Sequence, residues 1–206
     1  MMYNTSYLEQ LKVCLRGKFK TCQEAFGDVQ MAVELKDIVE IMTLLRNTDE
    51  LRFTQLLDVC VVDYVGRRAK RFEVVYHLLS MRHNLRVRVV AAFDENAEVP
   101  SVTSVFSSAG WWEREAFDMF GVVFSGNADL RRILTAYGFE GHPLRKDFPL
   151  TGYVQMRYDE GQKKVIQEPV HLAQAYRTFE NVSPWKGMEA AVQKSEASHT
   201  GGQHGN

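Results

Sequence analysis

"RFEVVYHLLSMRHNLRVRVVAAF", residues 71–93, consists of two apolar, valine-rich runs broken by one polar turn. β-Branched and aromatic side chains suit a pleated, half-buried surface, and His83 and Asn84 stand where the chain must reverse. The reading is a pair of neighbouring strands. The stretch before it, "LRFTQLLDVCVVDY", is apolar and β-branched enough to be a further buried strand. Upstream, Tyr7, Leu8, Leu11 and Leu15 recur at helical spacing and Gly17 follows as a stop. In "DVQMAVEL", Val29, Met31, Val33 and Leu35 alternate with polar or small residues, the period of a half-buried strand. Ile38, Ile41, Met42 and Leu45 return to helical period, with Asp37 placed to cap the start. Strands that follow strands, with helices between only some of them, predict an α+β sheet and not a doubly wound parallel one. This first domain is expected to span residues 1–93.

Whole-chain properties bound the function. With 206 residues there is room for one ordinary domain and an appended segment, and 45% hydrophobic residues can build a core. A formal charge of -1 and a pI near 6.6 give no general pull toward nucleic acid or anionic lipid. Cys14, Cys22 and Cys60 are odd in number and widely spaced, as in a reducing compartment. No apolar run approaches the roughly eighteen residues of a membrane span. The start, "MMYNTSYLEQLKVCLRGKFK", lacks an apolar signal core and holds Glu9 within it, so a chain kept on the cytoplasmic side, or encoded inside an organelle, is expected.

Beyond residue 93 the pattern changes. "DENAEVPS" carries Pro100 and reads as a connection. In "SVTSVFSSAGWWEREAFDMFG" the residues Trp112, Ala116, Met119 and Phe120 share a helical face, and Gly121 sits where a helix ends. Residues 94–120 are therefore a connection and one helix. From Gly121 the periodicity fails, except in "GYVQMRYD" and "KKVIQEPV", which predict one hairpin around Glu160 and Gly161. Loops longer than about 12–15 residues are uncommon in compact domains unless functional or disordered. Residues 121–185 are not composed like disorder: they hold Phe124, Tyr137, Phe139, Phe148, Tyr153, Tyr158, Tyr176, Phe179 and Trp185, with Arg131, Arg132, Arg145, Arg157 and Arg177. Aromatics and arginine are enriched where proteins grip each other. An extended arm that buries itself on a partner is the expectation, followed by a disordered tail at 186–206.

Several residues invite chemical readings. Glu113, Glu115 and Asp118 share one helix, but neither Glu-x-x-His nor His-Glu-x-x-His is present, and Arg114 lies four residues before Asp118, as in a surface ion pair. His142, beside Arg145, Lys146 and Asp147, could move a proton, yet no nucleophile sits in a recognisable elbow. The alternative function is a stand-alone hydrolase using Glu115, Asp118 and His142. No Cys-x-x-Cys and no glycine-rich phosphate loop appears, so no iron–sulfur, zinc or nucleotide site is expected within the chain. Asp129, Glu140 and Asp147 interleave with Arg131, Arg132, Arg145 and Lys146, which suits ion pairs with a protein better than a nucleic-acid track.

"WEREAFDMFGVVF", "DLRRILTAYGFEGHPLRKDFPLTGYVQMRYD", "EPVHLAQAYRTF" and "SPWKG" resemble the thirty-kilodalton subunit family of proton-pumping NADH:quinone oxidoreductase, respiratory complex I. The resemblance implies an α+β N-terminal domain and an extended arm wrapped on the quinone-site subunit, near that subunit's iron–sulfur neighbour. It implies no redox centre in this chain, FMN and iron–sulfur clusters residing in partner subunits. It also implies a peripheral position on the cytoplasmic face of a bacterial inner membrane, or on the matrix face if organellar. A related arm exists in membrane-bound hydrogenases. On this reading Glu113, Arg114, Glu115, Asp118, Arg131, Arg132, His142, Arg145, Lys146, Asp147 and Phe148 serve partner binding, and Trp111, Trp112, Phe117, Phe120 and Phe148 anchor packing. Two departures stand out. Asn127 and Ala128 replace the usual His-Pro, and Ala136 replaces a common aspartate.

Overall fold

A computed structural model describes residues 5–25 and 28–174. Tyr176, Arg177, Phe179, Trp185 and the expected tail lie outside the described residues. The helix α1 spans Thr5–Cys14, followed by strands β1 (Thr21–Ala25) and β2 (Asp28–Ala32) and helix α2 (Ile38–Asn47). Three long strands come next: β3 (Gln55–Asp63), β4 (Phe72–Ser80) and β5 (Leu85–Phe93). A two-residue strand β6 (Val99–Pro100), helix α3 (Ala109–Phe120) and strand β7 (Phe124–Ser125) continue the same unit. The hairpin β8 (Val154–Asp159) and β9 (Lys164–Pro169) belongs to a second unit.

The order β1-β2-β5-β4-β3 makes one five-stranded sheet, antiparallel throughout except for the parallel pairing of β2 with β5. This is the mixed α+β class that the strand-after-strand pattern predicts. β4 and β5 pair from Phe72↔Phe93 to Ser80↔Leu85. Asn84 carries the reversal at φ 50, a left-handed conformation that asparagine tolerates. Strand β1, "TCQEA", is polar and shows no apolar alternation; it forms because the edge of β2 supplies backbone partners.

One face of the sheet builds the core. Val29 and Met31 of β2, Val59 and Val61 of β3, Phe72, Val74, Tyr76 and Leu78 of β4, and Val87, Val89, Ala91 and Phe93 of β5 are buried on it. Leu11 and Leu15 in and just after α1, and Ile38, Ile41, Met42 and Leu45 of α2, close over that face with no exposure. Each such side chain contributes roughly 1.5–3 kcal/mol by leaving water. Asp37 occupies the N-cap position of α2 but makes no side-chain capping hydrogen bond, so apolar burial, not the expected cap, holds the helix start. Leu35 leaves the strand alternation because β2 ends at Ala32 and Leu35–Asp37 form a 3-10 turn.

The buried cluster does not stop at residue 93. Val99, Val102, Val105, Phe106, Ala109, Ala116, Val122 and Phe124 join it, and the compact unit runs to Tyr153. Helix α3 packs against β3, the outermost strand of the sheet, which covers an edge that would otherwise invite pairing. Gly121 ends the helix at φ 74, as its position in the sequence predicts.

Candidate functional site

Helix α3 and the loop after it form the most polar buried region of the described chain. Glu113 and Asp118 are both fully buried on α3, and Arg114 nearly so. Glu113 accepts hydrogen bonds from the Ser101 hydroxyl (2.7 Å), the Val102 N–H (2.9 Å) and the Asn127 amide (2.8 Å). Burial nevertheless dominates and pushes its carboxyl above the usual range. Asn127 also accepts from the Asp129 N–H at 2.9 Å, closing an Asx turn.

Asp118 behaves in the opposite way. It accepts from the Ile133, Leu134 and Thr135 N–H groups at 3.0, 2.7 and 2.9 Å, from the Thr135 hydroxyl at 2.6 Å, and from Arg132 Nη1 at 2.9 Å. Burial alone raises the carboxyl, but the Thr135 hydroxyl and the three backbone donors outweigh it and hold the group well below the usual carboxylate range. The expected surface pair between Arg114 and Asp118 is not made. Arg114 instead donates to the carbonyls of Arg131 (3.2 Å) and Arg132 (3.3 Å), and its guanidinium lies 5.2 Å from the Trp111 ring centre. The helix therefore faces inward with its charges and grips the loop that follows.

The "GHPLRKD" segment closes the end of α3. A helix leaves its last carbonyls unpaired. Here the Phe117 carbonyl accepts from Gly121 N–H (2.8 Å), Asp118 from His142 Nδ1 (2.9 Å), Met119 from Leu144 N–H (3.1 Å) and Phe120 from Arg145 Nε (2.6 Å). The cationic guanidinium also suits the negative end of the helix dipole. A side chain at position 121 would meet His142 at 2.6 Å and Arg145 at 2.8 Å, so this close approach requires glycine. Arg145 continues to Glu95 (2.6 Å), and Arg71 joins Glu95 (2.9 Å), Asp63 (3.0 Å) and Asp147 (2.8 Å). The Lys146 N–H donates to Asp63 at 3.0 Å. Burial raises the Asp63 carboxyl, but Arg71 and the N–H groups of Lys146 and Val65 prevail and lower it.

The structure thus brings together Glu113, Arg114, Asp118, Arg132, His142, Arg145, Lys146 and Asp147 of the expected site. Phe148 is half-buried between Phe139 (5.9 Å) and Tyr153 (5.6 Å). Arg131 points outward, 71% exposed, and pairs with Asp129. Of the expected packing anchors Trp111 is exposed, whereas Trp112, Phe117 and Phe120 are half-buried. His142 turns its Nδ1 to the Asp118 carbonyl and the Asp118 carboxylate is taken up by the loop that follows α3, so Glu115, Asp118 and His142 do not form an acid–base set. Every lone-pair direction of Asp118 is occupied, which leaves no general base there. Sequence reasoning passed over Asp63, Arg71, Glu95, Ser101 and Thr135, which carry no motif and are joined only by the fold.

Comparison with known proteins decides the family. Residues 31–154 match the family described as respiratory-chain NADH dehydrogenase, 30 Kd subunit. The chain belongs to that family. It is 62% identical over 161 residues to the NADH-quinone oxidoreductase C subunit of Paramagnetospirillum magneticum, covering 78% of this chain and 80% of the relative. With the corresponding C subunit of Mesorhizobium japonicum the identity is 50% over 186 residues, covering 90% and 92%. A chain in the structure of a membrane-bound sulfane sulfur reductase, an archaeal respiratory membrane complex, shares the fold with a TM-score of 0.61 at 24% identity, covering 78% of this chain and 99% of that one. Among the described residues of this 30 Kd family member, no helix is long and apolar enough to cross a membrane.

Proposed function

We propose that the chain is a non-redox subunit of the peripheral arm of a proton-pumping NADH:quinone oxidoreductase, which docks on the quinone-site subunit. The complex as a whole moves electrons from NADH to quinone. Its own part is to assemble and hold, on the cytoplasmic face of a bacterial membrane or the matrix face of an organelle. The observation that carries the docking role is the division of its polar and apolar groups. The charged motif closes on the chain itself, while Val154, Met156 and Tyr158 of β8 and Val165 of β9 lie on one side of a two-stranded hairpin and are 43–63% exposed. An isolated two-stranded hairpin is marginal in water. A partner surface supplies what it lacks.

On this reading the site residues divide the work. Arg131, Lys146 and the hairpin face meet the partner, while Asp147 is held by Arg71. Glu113, Arg114, Asp118, Arg132, His142, Arg145 and Phe148 hold the segments that present them, and Glu115 adds charge beside the α3 face. The hydrolase alternative has no geometry behind it.

The test is co-purification of a tagged chain from cells. Met156→Asp should sharply reduce recovery of the quinone-site subunit, because a charge placed at the centre of an apolar contact costs several kcal/mol. Unchanged recovery would refute docking through the hairpin. The purified chain alone should also show no flavin or iron–sulfur absorbance and no NADH oxidation; stoichiometric bound flavin or iron would contradict a non-redox role.

A further inference from the structure

The face of the five-stranded sheet opposite the core holds half-buried chemistry that neither the motif nor the docking role uses. We infer that Asp58, Cys60 and His77, brought to one spot on adjacent strands, form a three-ligand site for a divalent transition cation of zinc's class. Asp58 lies directly across from His77 in the β3–β4 ladder, and Cys60 is two residues further along β3 on the same face. The register shift between Leu56 and Asp58 sets this alignment. One ligand atom from each residue, a carboxylate oxygen, a thiol sulfur and an imidazole nitrogen, lies within 4.8 Å of the other two. In tetrahedral zinc coordination such atoms sit about 3.5 Å apart, given metal–ligand lengths of about 2.0–2.3 Å. Small side-chain rotations close the remaining gap.

The donor set selects the ion. A sulfur and a nitrogen beside one oxygen suit zinc and its neighbours, whereas calcium and magnesium take oxygen ligands. All three residues are half-buried, so none has to be uncovered by a change of fold. Cys60 and His77 line a cavity of about 330 Å³ that also includes Gln30, Glu73 and Arg88, which leaves room for a water in the fourth position. Two cations line this cavity and oppose a bound ion: Arg88, opposite His77 on β5, donates to Gln30 at 3.4 Å, and Arg68 is paired with Glu73. Glu115 lies close enough to Cys60 to act on it electrostatically and adds negative charge. This is the one group of three such ligands among the described residues. It runs against the expectation from sequence that no zinc site is present, because the ligands follow a strand register and no linear spacing records it.

The experiment uses the full-length chain with Cys14→Ser and Cys22→Ser, so that Cys60 is the single thiol. Zinc is titrated calorimetrically and cobalt(II) is added as a spectroscopic probe. The expected result is one ion per chain and a thiolate-to-cobalt charge-transfer band in the near ultraviolet. Cys60→Ser should abolish the band. Cys60→Ser, His77→Gln and the near-isosteric Asp58→Asn should each weaken zinc at least about tenfold, since even the loss of an outer-shell partner costs that much. The melting of each metal-free variant should match its parent, which separates ligand loss from misfolding. Replacing His199 and His204 by glutamine should leave binding unchanged. No binding by the parent chain, or binding that survives Cys60→Ser and His77→Gln or disappears with the His199 and His204 replacements, would overturn the proposal.

Discussion

Asp118 and Glu113 sit five positions apart on one helix, both fully buried, yet their carboxyls move in opposite directions. The difference lies in the donors: three for Glu113, five including a guanidinium for Asp118. Asp118→Asn keeps the shape but removes the charge that Arg132 and the backbone donors were built around. Loss of one member of a buried pair costs about 3–5 kcal/mol. Urea unfolding of the variant should show a loss of that size; a loss under about 1 kcal/mol would mean the cluster is not a hub. The pH dependence follows from the signs. Asp118 and Asp63 are lowered in the folded chain, so their stabilisation is complete above the unfolded carboxylate value of about 3.9 and is lost as pH falls through their lower folded values. Glu113, raised, contributes the reverse slope. Asp118→Asn should therefore flatten the acid limb of the stability profile. Helical spacing put Glu113, Arg114 and Asp118 on α3 from sequence alone, but it could not show that they face inward, since the loop carbonyls and N–H groups that receive them carry no sequence signal.

At the scale of elements, the motif "GHPLRKD" is a C-terminal cap for α3. Its His142, Leu144 and Arg145 satisfy three successive carbonyls, and Arg145 and Asp147 tie it to the end of the sheet through Glu95 and Arg71. Arg145→Ala removes the Phe120 carbonyl's donor and the Glu95 pair together. Hydrogen exchange should rise in residues 142–148 and in the last turn of α3, while β4 and β5 keep their protection. In cells the amount of assembled complex should fall more than the turnover of each complex that does assemble. Normal assembly with collapsed turnover would make Arg145 a participant in the chemistry and contradict this role. The elements most legible in sequence were those with strong apolar periodicity: β4, β5, α2, α3 and the β8–β9 hairpin. β1 was not legible because backbone pairing, not side-chain pattern, forms it.

For the whole molecule, failed periodicity after Gly121 predicts a coreless arm, and the structure describes two situations within it. Residues up to Tyr153 fall within the compact unit, held by polar clamps more than by apolar faces, while the hairpin beyond exposes its apolar side. A hydrophobic pattern detects cores. It does not register a loop fastened by carboxylates and a guanidinium, nor ligands set by strand register. Docking through the hairpin is the proposed role of this chain. The most direct measurement is one protease digestion of the isolated chain and of the assembled complex, with the cuts mapped by mass. In the isolated chain, cleavage should occur first after Arg157, Lys163 and Lys164, all exposed on the hairpin, and later at Arg132 and Arg145, whose side chains are bonded to Asp118 and Glu95. In the complex those hairpin sites should resist. Equal cleavage of the hairpin in both samples would show that no partner covers it, and would contradict the account.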